Sequence, residues 1–136
     1  MAHKAKENTL SDRVVEFVLS RVDEELATLS VEHIAFRLGL HRSHLSRSFR
    51  AEKDFTIEEF IFKIKISRAA GILEEYPDIT IKDIAQKIGF CRCDYFIRIF
   101  KRYFGTTPSR YRDIVLKRRA SSRNKEKNVR GLSLPH

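Results

Sequence analysis

The sequence predicts an all-α fold of about seven helices, in which a helix-turn-helix unit occurs twice and is joined by a long connecting helix. Three observations predict it. Residues 79–112 hold a short amphipathic helix, a glycine turn and a basic helix in succession, and residues 29–61 hold the same succession. Between the two, a helical pattern runs unbroken from Ile57 to Glu75.

From Leu10 to about Ala27, Val14, Val15, Phe17, Val18, Val22 and Leu26 recur at helical spacing. They predict one amphipathic helix with an acidic outer face. Residues 1–9 lack that pattern and are expected to form a flexible N-terminus. The first unit, residues 10–56, continues with Ile34, Ala35 and Leu38 on one helical face. Gly39 follows, the residue that ends a helix in a left-handed turn at least cost. A second helix, 42–52, then directs Leu45 and Phe49 inward.

Ile34, Ala35, Leu38 and Gly39 match Ile84, Ala85, Ile88 and Gly89 at an offset of fifty. Leu45, Arg47, Phe49, Arg50, Thr56 and Phe60 match Phe96, Arg98, Phe100, Lys101, Thr107 and Tyr111 at fifty-one, so the second turn holds one extra residue.

Thr56 with Glu59 reads as a capping box opening the connecting helix, residues 57–76. Ile57, Phe60, Ile61 and Ile64 make one stripe on it, and Phe62, Ile66, Ala69, Ala70 and Leu73 make another, as expected of a helix serving two small cores. Gly71 weakens it by about 1 kcal/mol and marks a close contact or a slight bend. Pro77 and Asp78 end it. The second unit, 77–116, opens with Thr80 and Asp83 as another capping box. It continues with a helix from near Ile81 to Gly89 and a basic helix from about Arg92 to Tyr103, whose predicted buried stripe is Phe96, Phe100, Tyr103 and Phe104. Thr107 and Pro108 are an N-cap and first-turn proline, beginning a short helix that ends near Leu116. Residues 117–136, basic and without periodicity, read as a disordered tail.

Composition narrows the function. The chain of 136 residues carries a formal charge of +9, has no apolar run of about 18 residues, and begins without the apolar segment of a secretory signal. It is expected in the cytoplasm, associated with the nucleoid, with no membrane partner. Cys91 and Cys93 are too close for an unstrained disulfide and too few for structural zinc, so reduced thiols are expected. No nucleophile with an oriented base and no phosphate-cradling glycine loop is present, and His41 and His44 lack further ligands. No enzyme, metal or cofactor is expected.

The charge is polarised. His41 to Lys53 and Cys91 to Arg102 each hold four basic residues and one acid, whereas Leu10 to Ser30 holds two basic and five acidic. The positive stretches coincide with the second helix of each unit, the one shaped to enter a DNA major groove. Double-stranded DNA is therefore the expected partner. With Leu45 and Phe49 inward, Arg42, Ser43, Ser46 and Arg47 are the candidate base readers of the first unit, and Arg92, Cys93, Asp94, Ile97 and Arg98 those of the second. Arg47 and Arg98 lead, because a guanidinium bonds guanine O6 and N7 together. Asp94 can accept from cytosine N4, and Ile97 can touch a thymine methyl. Arg50, Lys101, Arg102 and Arg110 are expected on phosphates, as are helix starts near Ser30, Thr80 and Thr107.

A connector of about 20 residues is about 30 Å long, against about 34 Å per turn of B-DNA. Two unlike recognition helices on such a rod predict an asymmetric bipartite site in successive major-groove segments, with halves about 10 base pairs apart.

The string IAQKIGFCRCDYFIRIFKRYFGTTPSRYR resembles the C-terminal signature of the AraC/XylS class of bacterial transcription regulators, and the likeness extends over about Val14 to Leu116. The chain departs from it at Cys91, Cys93 and Ile97, and at Asp54, where that class favours glycine. The resemblance implies the same tandem binding mode, with Ser43 and Ser46 at positions that read bases. The chain is expected to be a monomer, either a small stand-alone regulator or the reading head of a longer one. If the chain is an activator, RNA polymerase is the expected second partner, through the acidic face bearing Glu16, Asp23 and Glu24. The competing readings are a protein-interaction module and an RNA- or single-strand-binding module. The latter needs exposed aromatic platforms, whereas the phenylalanines here fall on inward stripes.

Overall fold

The computed structural model describes residues 8–133, with side chains through Ser122. Among the described residues there are eight α-helices and no strand. The chain divides into two compact units, residues 1–68 with Lys87–Gly89, and Ala69–Gln86 with the residues from Phe90 onward.

In the first unit, α1 (Leu10–Leu19) opens on a reciprocal capping box. The Asp12 N–H donates to Thr9 Oγ1 at 3.1 Å and the Thr9 N–H to Asp12 Oδ2 at 3.3 Å. Thr9 is thus a fixed cap and not part of a flexible arm; residues 1–7 lie outside the described residues. The single helix expected to reach Ala27 is in fact two. Ser20 Oγ and Arg21 Nε both donate to the Phe17 carbonyl, at 2.9 and 3.2 Å, and take the place of continuing backbone bonds. Extended Val22 then starts α2 (Asp23–Ala27), whose first turn holds Asp23, Glu24 and Glu25, as the helix dipole favours. Val22 is exposed as a result, while Val14, Val18 and Leu26 are fully buried.

α3 (Val31–Leu38) is capped by Ser30, which accepts from the His33 N–H at 3.1 Å, and ends at Gly39 with φ +70. α4 (Arg42–Glu52) buries Leu45 and Phe49. It stops without a left-handed residue: Lys53 is extended, and no described non-glycine residue has positive φ. Asp54, where the AraC/XylS class favours glycine, therefore needs no left-handed conformation.

α5 (Ile57–Glu75) begins with the reciprocal Thr56–Glu59 box, at 2.8 and 3.1 Å. Ile57 and Ile61 join Val14, Ile34, Leu45 and Phe49 in the first core. Farther along, Ala69, Ala70, Ile72 and Leu73 are buried as members of the second unit. Two cations on α5 fasten the first unit. The Arg68 guanidinium donates to the carbonyls of Leu19 (3.0 Å) and Arg21 (2.7 Å) and to Asp23 Oδ1 (3.1 Å), and Lys65 Nζ donates to the Ala27 carbonyl at 3.2 Å. Gly71 marks no close contact, because a Cβ there would meet nothing within 4 Å. Gly71→Ala should therefore add about 1 kcal/mol of stability, read as a rise of about 4 °C in Tm.

α6 (Ile81–Ile88) is capped by Thr80, which accepts from the Asp83 N–H at 3.0 Å; the reciprocal half of that box does not form among the described residues. α7 (Cys93–Phe104) buries Phe96, Ile99 and Phe100 and ends at left-handed Gly105. Tyr103, expected in the stripe, is 44% exposed, and Phe104 is only partly covered, against the rings of Phe100 and Tyr111. The last turn has reached the rim of the core. α8 (Pro108–Ser133) is capped by Thr107, which accepts from the Arg110 N–H at 3.3 Å. It continues far past Leu116, where a disordered tail was expected, and residues 134–136 lie outside the described residues. The physical reason is propagation. Once capped and packed, a helix extends through Lys, Arg, Ala and Glu without needing an apolar face, and no glycine intervenes before Gly131.

The Tyr-Arg pair that closes the signature string is a fastening within the second unit. The Tyr111 hydroxyl donates to Glu74 Oε2 at 2.6 Å, and Arg112 Nη1 donates to the Ile79 carbonyl. Burial, then the hydrogen bond and charge of Glu74, push the Tyr111 phenol up to about 12. A raised phenol pKa means that the folded state favours the protonated form. That stabilisation is complete below the ordinary value near 10 and is lost as the pH rises toward 12. Ultraviolet titration should show a phenol ionising only as the pH nears 12, and Tyr111→Phe should abolish that step.

Candidate nucleic-acid interface

Each unit presents its second helix with the apolar stripe inward and basic side chains outward. On α4, Leu45 and Phe49 are fully buried, Arg42, Ser43, Arg47 and Arg50 are exposed, and Ser46 is half-buried. Arg47 and Arg50 make no hydrogen bond or ion pair among the described residues. Arg42 is engaged: its Nε lies 3.3 Å from Glu32 Oε2 on α3 and its Nη2 lies 3.2 Å from Glu58 Oε2 on α5.

On α7, Arg92, Asp94 and Arg98 are exposed, and Cys93 and Ile97 are half-buried. Arg92, the N-cap, grips Asp94 twice, Nε to Oδ1 at 3.3 Å and Nη2 to Oδ2 at 3.0 Å. That hydrogen bonding is the main reason the Asp94 carboxyl is held below its ordinary range. The Arg98 guanidinium lies 5.5 Å from the centroid of the Tyr95 ring, a cation–π contact that leaves its N–H edges available. Lys101, Arg102 and Arg110 are exposed. Cys91 and Cys93 are free thiols, the first exposed.

The hydroxyls of Ser30, Thr80 and Thr107 are all occupied in capping α3, α6 and α8. Any phosphate there must take the remaining backbone N–H groups. The expected site residues thus form two sets, Ser30 and the α4 side chains in the first unit, and Thr80, Thr107, Arg110 and the α7 side chains in the second. Sequence reasoning missed the carboxylates on Arg42 and the ring beside Arg98. The second was legible as an i, i+3 pair, Tyr95 to Arg98. The first depends on packing between three helices and had no sequence signal.

A family described as "Helix-turn-helix domain" matches residues 34–114. The chain is 34% identical over 107 residues to the probable transcription factor PqrA of Proteus vulgaris, covering 76% of this chain and 87% of that one. It is 31% identical over 113 residues to the Msm operon regulatory protein of Streptococcus mutans; the match covers 82% of this chain but only 40% of that longer protein. Among solved structures, a DNA-binding transcriptional dual regulator from Escherichia coli K-12 superposes with a TM-score of 0.70 at 22% identity, over 85% of this chain and 99% of the other. The C-terminal domain of AraT, a response regulator from Geobacillus stearothermophilus, gives 0.67 at 25% identity over 77% and 84%. No described helix is long and apolar enough to cross a membrane. With two capped helix-turn-helix units, outward basic second helices, and a family model and a transcription-factor relative that match over most of its length, the chain belongs to the AraC/XylS family of sequence-specific DNA-binding transcription regulators.

Proposed function

We propose that the chain reads an asymmetric, two-part duplex site, with α4 and α7 entering successive major-groove segments. The observation that carries this reading is the presence of Arg47 and Arg98, exposed at matching positions of two non-identical copies. Each guanidinium can bond one guanine in a bidentate way. Ser43 and Ser46 on α4, and Cys93 and Ile97 on α7, supply shorter-range contacts beside them. Arg50, Lys101, Arg102 and Arg110 take phosphates, with the backbone starts of α3, α6 and α8. The reading assigns the protein to the cytoplasm and its nucleoid, acting as a monomer. As an activator it would touch RNA polymerase with the acidic surface of α1 and α2. There Glu16 is exposed, Glu24 is exposed but lies 3.5 Å from Lys87 Nζ, and Asp23 is held by Arg68.

Selection of bound duplexes from a random pool, followed by a footprint, tests this directly. It should return two unlike half-sites about 10 base pairs apart, protected on one face of the duplex. A single short half-site, or no enrichment, would end the proposal. In the same assay Lys101→Ala should weaken all duplexes alike and reduce the slope of log affinity against log salt by about 0.9.

A further inference from the structure

Each recognition helix opens on an arginine that is neutralised before any DNA arrives. Arg42 is the first residue of α4, and Arg92 is the N-cap of α7. Arg42 sits between two carboxylates brought from two other helices, Glu32 at 3.3 Å and Glu58 at 3.2 Å. The same hollow is lined by Lys65, so its two carboxylates face two cations, and both lie within ion-pair distance of Arg42. Arg92 is gripped by both oxygens of Asp94. Arg47, one turn or so farther along α4, is paired with nothing described. The first cation of each helix, expected from the sequence to read bases, is thus already engaged by carboxylates, whereas Arg47 on α4 is not and Arg98 on α7 lies against the Tyr95 ring with its N–H edges available.

We infer that Glu32 and Glu58 in the first unit and Asp94 in the second are specificity-determining restraints, which hold Arg42 and Arg92 off phosphate and so suppress binding to arbitrary DNA. The inference rests on the duplex-reading proposal above. Phosphate contacts supply the sequence-independent part of affinity, and each one steepens the salt dependence. An arginine held by carboxylates contributes less to both. All of these pairs are solvent-exposed, with side chains 52–76% accessible. Such pairs are individually weak, so they bias the arginine without locking it.

The test uses anisotropy titrations of a selected duplex and an unselected one over a range of salt. Glu32→Gln with Glu58→Gln should tighten the unselected duplex about 3- to 10-fold and steepen its salt slope by about 0.9, with a smaller gain on the selected duplex. Adding Arg42→Gln to that pair should remove both gains. Asp94→Asn, and Asp94→Asn with Arg92→Gln, repeat the comparison on α7 and keep it decisive if the first pair disturbs the packing of α4. A gain that survives removal of the arginine would assign the effect to plain carboxylate repulsion and overturn the restraint. Unchanged slopes in the carboxamide variants would overturn it as well. Failure of the unsubstituted protein to prefer the selected duplex would instead sink the duplex-reading proposal itself.

Discussion

Gly89→Ala should lower Tm by about 8–20 °C, the largest effect expected of any single methyl group in this chain. Two costs add at this position. Gly89 has φ +102, a conformation that disfavours an L side chain by about 1–2 kcal/mol. The new Cβ would also lie 2.4 Å from the Ala27 carbonyl oxygen and 2.8 Å from its Cα, closer than atoms can approach. The obstacle is backbone, and that carbonyl accepts from Lys65 Nζ, so it cannot swing aside without losing a partner. Forced movement of packed atoms adds about 1–3 kcal/mol. The sum, about 2–5 kcal/mol, gives the stated fall at about 4 °C per kcal/mol. Gly39→Ala is the control. Its φ is +70, but nothing lies within 4 Å of the added atom, so only the conformational part should appear, about 4–8 °C. Equal losses in the two variants would show that the close approach to Ala27 is not what fixes Gly89.

Arg47→Ala and Arg98→Ala should each flatten base preference at one position of the selected site, reducing discrimination there roughly 5- to 150-fold, the equivalent of 1–3 kcal/mol for a bidentate contact. The effects should fall in different half-sites and add, because the two side chains belong to different units and share no described partner. Arg50→Ala, on α4 as well, should weaken every sequence by a similar factor. Affinity matrices measured over single-base variants of the selected duplex distinguish the two behaviours. Unaltered preference in both alanine variants would mean that other side chains do the reading.

Much of this was legible in the sequence because its signals are local. The bounds of α4 and α5 follow from an apolar stripe and the Thr56–Glu59 box, and the turns at Gly39 and Gly89 follow from a residue type that few others can replace. The break between α1 and α2 was hidden because an unbroken apolar spacing runs through it. The interruption is made by Ser20 and Arg21 on the Phe17 carbonyl and fastened by Arg68, which lies far along the chain. The start of α1 at Leu10 was read, but its cap was overlooked although Thr9 and Asp12 have the spacing of a capping box. The extent of α8 was missed because a helix of polar residues leaves no periodic trace. For the interface, which side chains point outward could be read from the stripe. Which of them are already engaged could not, since Glu32 and Glu58 reach Arg42 only through the packing of α3, α4 and α5.

Within the first unit Arg68 donates to two peptide oxygens and one carboxylate, and within the second Arg112 donates to a peptide oxygen, so neutral acceptors predominate around these two cations. Dissolved ions screen attraction between charges far more than they disturb a partly buried donor on an amide dipole. Raising the ionic strength should therefore strip nucleic acid from the surface while the scaffold beneath keeps its melting point, so that dissociation and denaturation occur in separate ranges of salt.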